Sequence, residues 1–131
     1  MFGYYRLASS VPQLRVAEVD YNVDQLTEEF RKAAEQQAAA VVFPELCITG
    51  YSCGDLFFQP NLRKAALNGL LRFTEATEGS GTIAVVGLPF LHEDALYNTA
   101  AVVQYGRILA LVPKTVLPNY REFYDKRQFP S

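Results

Sequence analysis

Two short segments of this sequence end in the same way. The apolar run Val41, Val42, Phe43 meets Pro44 and then Glu45, and the run Leu109 to Val112 meets Pro113 and then Lys114. Proline removes a backbone donor and tends to close a strand. Each segment therefore reads as a strand with a charged residue one step beyond its end. In open α/β sheets, sites collect at the carboxyl ends of strands. If the two strands run parallel in one sheet, Glu45 and Lys114 meet at one edge. A carboxylate placed there can act as a general base, and an ammonium can stabilise an oxyanion. The same pair can equally be a structural salt bridge at the sheet edge, and spacing alone does not separate the two readings.

The remaining reactive residues are few. Cys47 and Cys53 are the only cysteines. Either has the chemistry of a nucleophile, but neither has a histidine close in sequence, and a small buried side chain is the simpler reading. His92 stands beside Glu93 and Asp94, in what reads as a solvated polar turn. The stretch "EGSGT" lacks the spacing of a phosphate-binding loop, so Gly79 and Gly81 read as a helix stop. Tyr51, Tyr120 and Phe123 suit either a pocket wall or ordinary packing.

The elements that must position Glu45 and Lys114 can be read from periodicity. Tyr4 to Ala8 is a short strand. "VDYNVDQLTEEFRKAAEQQAA" is a helix, with Asn22 expected as its cap and Gln25 three residues on, as in a capping box. Leu26, Phe30, Ala33, Ala34 and Ala38 give it an apolar stripe. Val41 to Phe43 is a strand, and "TGYSCG" (49–54) is a turn-rich loop. A second helix begins near Asn61, with a stripe of Leu62, Ala65, Ala66, Leu70 and Phe73. Thr82 to Phe90 is an apolar central strand. "LYNTAAVVQ" and "RILALVPK" are two more strands, joined by a tight turn at Tyr105 and Gly106. The order strand, helix, strand, helix, strand, strand, strand predicts an α/β fold, a mixed sheet with helices packed on it.

Composition bounds the function class. With 131 residues, half of them hydrophobic and a fifth charged, the sequence reads as one globular domain. A net charge of −2 with no basic stripe argues against nucleic acid as a partner. No apolar run approaches the roughly 18 residues of a membrane span, and the first residues do not form a signal peptide. One histidine and two scattered cysteines argue against a zinc site and a disulfide framework. The expected setting is cytoplasmic, with thiols reduced.

The motifs "VVFPELCITGYSCGDLF", "VVGLP", "LYNTAAVV" and "GRILALVPKTVLPNYREFYDKRQF" together resemble the nitrilase-like carbon–nitrogen hydrolase superfamily. Within it they resemble the glutaminase domains of glutamine-dependent NAD synthetases. The likeness runs from about Arg6 to Phe129. It implies part of an α-β-β-α sandwich, in which protomers pair face to face, and a Glu–Lys–Cys triad. Glu45 matches the base that takes the thiol proton of the nucleophile and later activates water. Lys114 matches the lysine that supports the tetrahedral oxyanion. Tyr120 and Phe123 match positions lining the glutamine pocket, and Tyr51 would support the wall near the base.

The resemblance also implies what lies elsewhere. L-glutamine is the implied substrate. In this family, ammonia released from it passes to a separate synthetase domain that uses ATP and Mg to convert deamido-NAD to NAD. No cofactor is expected in the present segment. The nucleophilic cysteine of the family falls on a strand later than Phe129, and Cys47 and Cys53 stand where the family carries none. Residues 1–131 are therefore expected to be the N-terminal part of a glutaminase domain, without the rest of that domain or the synthetase domain. Such a segment should be inactive alone and self-associate through its open sandwich face. The alternatives are a piece of another amidase or carbamoylase of the superfamily, and a non-catalytic α/β assembly module.

Overall fold

A computed structural model describes residues 6–50 and 59–117. Its elements are β1 (Leu7–Ser9), α1 (Val19–Glu35), β2 (Ala40–Val42), α2 (Pro60–Ala76), β3 (Ile83–His92), β4 (Ala95–Gln104) and β5 (Arg107–Val116). The strands form one sheet in the order β1-β2-β3-β4-β5. β1, β2 and β3 are parallel neighbours, while β4 is antiparallel to both β3 and β5. β2 and β5 therefore point the same way, as the matched Pro-Glu and Pro-Lys ends require.

The expected order of elements is the observed one, and the sheet is mixed. In two successive βαβ units the right-handed crossover that such connections favour would place both helices on one face, and α1 and α2 do pack against each other. The helices meet through Phe30 and Phe73, whose rings stand edge-on at 5.9 Å, and Phe43 packs edge-on against Phe73 at 6.1 Å. Gly69 in α2 lets the helices close up: a Cβ there would lie 2.6 Å from a methyl of Val19. On the helix side, Val41, Ala84, Val86, Leu88, Ala101 and Val103 are buried.

The opposite face is apolar and, apart from the chain that passes over Gly87, largely uncovered among the described residues. Val42, Val85, Val102 and Ala110 stand in one cross-strand row, and Gly87, Ala100 and Val112 in the next. Val42 is 49% exposed and Val112 47%. Both hairpin turns place two residues at positive φ: Glu93 and Asp94 between β3 and β4, Tyr105 and Gly106 between β4 and β5. Such turns match the twist of the flanking strands. His92 ends β3 at the first of them and is exposed, 3.8 Å from Glu93.

Three local expectations need correction. Asn22 does not cap α1; the helix starts at Val19 with Glu18 at the cap position, and Asn22 is buried inside the first turn. Its carboxamide is used for a tertiary tether instead. α2 stops at Ala76, ahead of Gly79 and Gly81. Thr77 closes it, donating its hydroxyl to the Thr74 carbonyl and accepting the Gly106 N–H. Pro113 does not end β5, which continues to Val116. An edge strand tolerates proline because one row of its donors needs no partner.

Candidate active site

Glu45 lies just beyond β2, and Lys114 lies near the end of β5. Strands β3 and β4 separate them, so the two parent strands are three spacings apart, about 14 Å. No single side chain spans that. The gap is closed from both sides. Thr99 on β4 pairs with Pro113, while the preceding Asn98 pairs with Thr115. Lys114 is therefore the extra residue of a β-bulge, which bends the strand and re-aims the side chain beside a site.

From the other side, the turn carrying Glu45 crosses over β3 at Gly87. A Cβ on Gly87 would lie 2.5 Å from the Leu46 amide nitrogen and 3.3 Å from the Glu45 Cα. Only glycine admits so close a backbone crossing. The result is a hydrogen bond from Lys114 Nζ to Glu45 Oε1 of 2.9 Å. Both side chains remain partly open, Lys114 at 45% and Glu45 at 43% exposure.

The crossing turn is held by buried polar contacts. The Ile48 N–H donates to the Gly87 carbonyl at 3.0 Å, and the Gly87 N–H donates to Cys47 Sγ at 3.3 Å. Asn22 Nδ2 donates to the Ile48 and Arg15 carbonyls, and Asn22 Oδ1 accepts the Arg15 N–H. α1, β3 and the turn after β2 are thus tied at one point. Leu46 takes a positive φ of 53° within it, strain the clamp must hold.

Electrostatics follow the geometry. The Lys114 ammonium, by hydrogen bond and charge, holds the Glu45 carboxyl below the ordinary carboxylate range, and the nearby Asn98 carboxamide acts in the same direction. Glu45 is ionised at neutral pH. Cys47 is fully buried, and burial pushes its thiol up to about 12. A reactive cysteine needs an exposed, electropositive setting that stabilises the thiolate. Cys47 instead bonds the backbone of Gly87 and serves packing.

A small pocket of about 60 Å³ lies here, with Val42, Pro44, Glu45, Gly87, Asn98 and Lys114 among its walls. The structure thus joins Glu45 to Lys114 in one site. Tyr51, Cys53, Tyr120 and Phe123 lie outside the described residues. Gly87 and Asn98 are site residues that sequence reasoning passed over, although both fall in the motifs "VVGLP" and "LYNTAAVV". The available signal was a glycine inside an apolar strand and a carboxamide in an otherwise apolar one. Among the described residues, no cluster of His, Cys, Asp and Glu could hold a metal ion, and no helix is long and apolar enough to cross a membrane.

The sequence pattern of the carbon-nitrogen hydrolase family matches residues 6–127. The chain belongs to the carbon-nitrogen hydrolase family. It is 36% identical over 126 residues to the glutamine-dependent NAD(+) synthetase of Mycobacterium tuberculosis, a match covering 96% of this chain and 19% of that protein. The chain thus spans about a fifth of the length of such relatives. A crystal structure of a glutamine-dependent NAD(+) synthetase from Cytophaga hutchinsonii shares the fold, with a TM-score of 0.81 at 22% identity over 92% of this chain and 21% of that one. An amidase from Nesterenkonia sp. shares it with a TM-score of 0.69 at 23% identity, over 84% of this chain and 42% of the amidase. The fold is thus the nitrilase-like α/β fold of the carbon-nitrogen hydrolases.

Proposed function

We propose that this chain supplies the general base and the oxyanion-stabilising lysine of a glutamine amidohydrolase, whose ammonia feeds the ATP-dependent amidation of deamido-NAD to NAD. The observation that carries the reading is the 2.9 Å contact between Lys114 and Glu45, made across two strands by a bulge and a glycine crossing. A salt bridge at a sheet edge needs neither device. The 36% identity to a protein named as a glutamine-dependent NAD(+) synthetase supports glutamine as the substrate.

In this reading Glu45 accepts the proton of a cysteine thiol as the thiolate attacks the amide carbonyl. The carbonyl electron pair moves to oxygen, where Lys114 stabilises it. Collapse of the tetrahedral adduct breaks the C–N bond. Glu45 returns the proton to the departing nitrogen, ammonia leaves, and a thioester remains. Glu45 then deprotonates water, which cleaves the thioester to glutamate and thiol. The lysine couples these steps. At rest it lowers the proton affinity of Glu45. As the oxyanion draws the ammonium, Glu45 becomes a stronger base when it must take a proton.

Cys47 does not fit the nucleophile, and the resemblance gives Cys53 no such role. The thiol then comes from outside these residues, and the 131-residue chain alone does not hydrolyse glutamine. Tyr51, Tyr120 and Phe123 are proposed as pocket walls. ATP, Mg and deamido-NAD belong to a synthetase part outside this chain, and the working compartment is the cytoplasm. The uncovered sheet face would pair with a second copy of the chain. The test is ammonia release from glutamine by the purified chain. None is expected, and turnover lost on Cys47→Ala or Cys53→Ala would overturn the assignment.

A further inference from the structure

Asn98 carries a cost to the fold that is visible in its hydrogen bonding. It sits on β4, between the strands that carry the Gly87 crossing and Lys114, and only 6% of it is exposed. Its neighbours in the ladder are short of donors. Pro89 is its partner on β3, and Pro113 is the partner of the adjoining Thr99 on β5. Its Oδ1 is buried and has no hydrogen-bond partner among the described residues. A buried acceptor left unpaired is destabilising, whereas an apolar side chain of the same shape would carry no such penalty. Unpaired groups of this kind in folded proteins call for a functional explanation.

The other end of the carboxamide supplies one. Asn98 lines the same small pocket as Glu45 and Lys114. We propose that Asn98 is a positioning residue for Glu45, its carboxamide N–H2 fixing the carboxylate beside Lys114 while its carbonyl oxygen goes without a protein partner. The inference rests on the reading of Glu45 as a base. A general base must keep its direction when its ion-pair partner turns to the oxyanion. A neutral donor, rigid on a central strand, holds it then, where a second cation would compete with Lys114 for the developing charge. Donation to the ionised form also lowers the proton affinity of Glu45, in agreement with the direction of its shift.

The test reads Glu45 directly, by carboxyl carbon NMR titration of the glutamate-labelled 131-residue chain and of Asn98→Leu and Asn98→Ser. The expected result is a Glu45 titration displaced to higher pH in both folded variants. Asn98→Leu should also unfold at the same denaturant concentration as the unmodified chain or a higher one, since it removes an unpaired acceptor. A merely structural asparagine would give the opposite stability change and leave Glu45 unmoved. The proposal is overturned if the Glu45 titration is unchanged in either folded variant. No turnover is measured, so that failure would leave the amidohydrolase reading standing, and an inactive amidohydrolase would leave this result standing.

Discussion

Lys114 and Glu45 stand 69 residues apart in sequence and 2.9 Å apart in space, although their parent strands are not neighbours in the sheet. The contact exists because β5 bulges at Lys114 and the turn after β2 passes over Gly87. The carboxylate is ionised and its titration lies below the ordinary range. A lowered carboxyl pKa contributes stability at pH values above the ordinary carboxylate range. That contribution is lost as pH falls through the folded-state pKa. Lys114→Ala should raise the Glu45 titration toward its ordinary value and shrink this acid loss. Unfolding midpoints of both proteins measured between about pH 5 and pH 2 check it. Because both groups are partly solvated, the difference should also shrink with added salt.

Gly87→Ala tests the crossing. The added methyl would meet the Leu46 amide nitrogen at 2.5 Å, and backbone atoms cannot swing aside as a side chain can. The turn must lift, which should cost roughly 1–3 kcal/mol as overpacking does. The Lys114–Glu45 contact should loosen with it. Urea unfolding gives the first effect. The second appears as a Glu45 titration moved up toward its ordinary value, although Glu45 itself is unmodified.

These two cases mark how far the sequence carries. The element order and the mixed sheet follow from apolar periodicity, and the shared edge of Glu45 and Lys114 from the matched Pro-Glu and Pro-Lys pairs, although β5 runs on past Pro113. The bulge at Lys114 does not, since it depends on how β5 registers against β4. Asn22 shows the same limit. Its type and spacing suit a helix cap, yet tertiary structure uses its carboxamide to bind Arg15 and Ile48. Local propensity ranks positions, and contacts from distant segments decide between uses of one side chain. Gly87 and Asn98 were hidden for the same reason. Their neighbours in space are residues 42 and 16 positions away, Glu45 and Lys114.

Cys47 offers a prediction at the alkaline end. Burial raises its thiol from 9.0 to about 12. The raised value stabilises the folded protein fully below about pH 9, and that contribution is lost as pH rises toward about 12. The stability of the unmodified protein minus that of Cys47→Ala should therefore fall as pH rises through this window. Lysines and tyrosines common to both proteins cancel in the difference. A difference that stays flat would mean that Cys47 is not held as a neutral buried thiol.

The uncovered sheet face predicts association. Val42 and Val112 lie on it in adjoining cross-strand rows and are about half exposed, with Val85 and Val102 continuing the row of Val42. Exposed apolar faces of this kind drive pairing. The 131-residue chain should be dimeric at micromolar concentration by light scattering, and Val42→Lys with Val112→Lys should shift it to monomer. A stable monomer for the unmodified chain would count against self-association through this face.

The most direct test of the base–lysine assignment is catalytic. Residues 6–127 of this chain can replace the matching segment of the mycobacterial relative, whose remaining length would supply the thiol that the proposed mechanism requires. Ammonia release from glutamine by the chimera is then compared with that of its Glu45→Gln form, with circular dichroism confirming that both are folded. The account predicts glutamine-dependent release by the chimera and a fall of about 100-fold or more with Glu45→Gln, the scale of losing a general base. Equal release by the two would contradict it, and would leave the Glu45–Lys114 contact as a structural salt bridge.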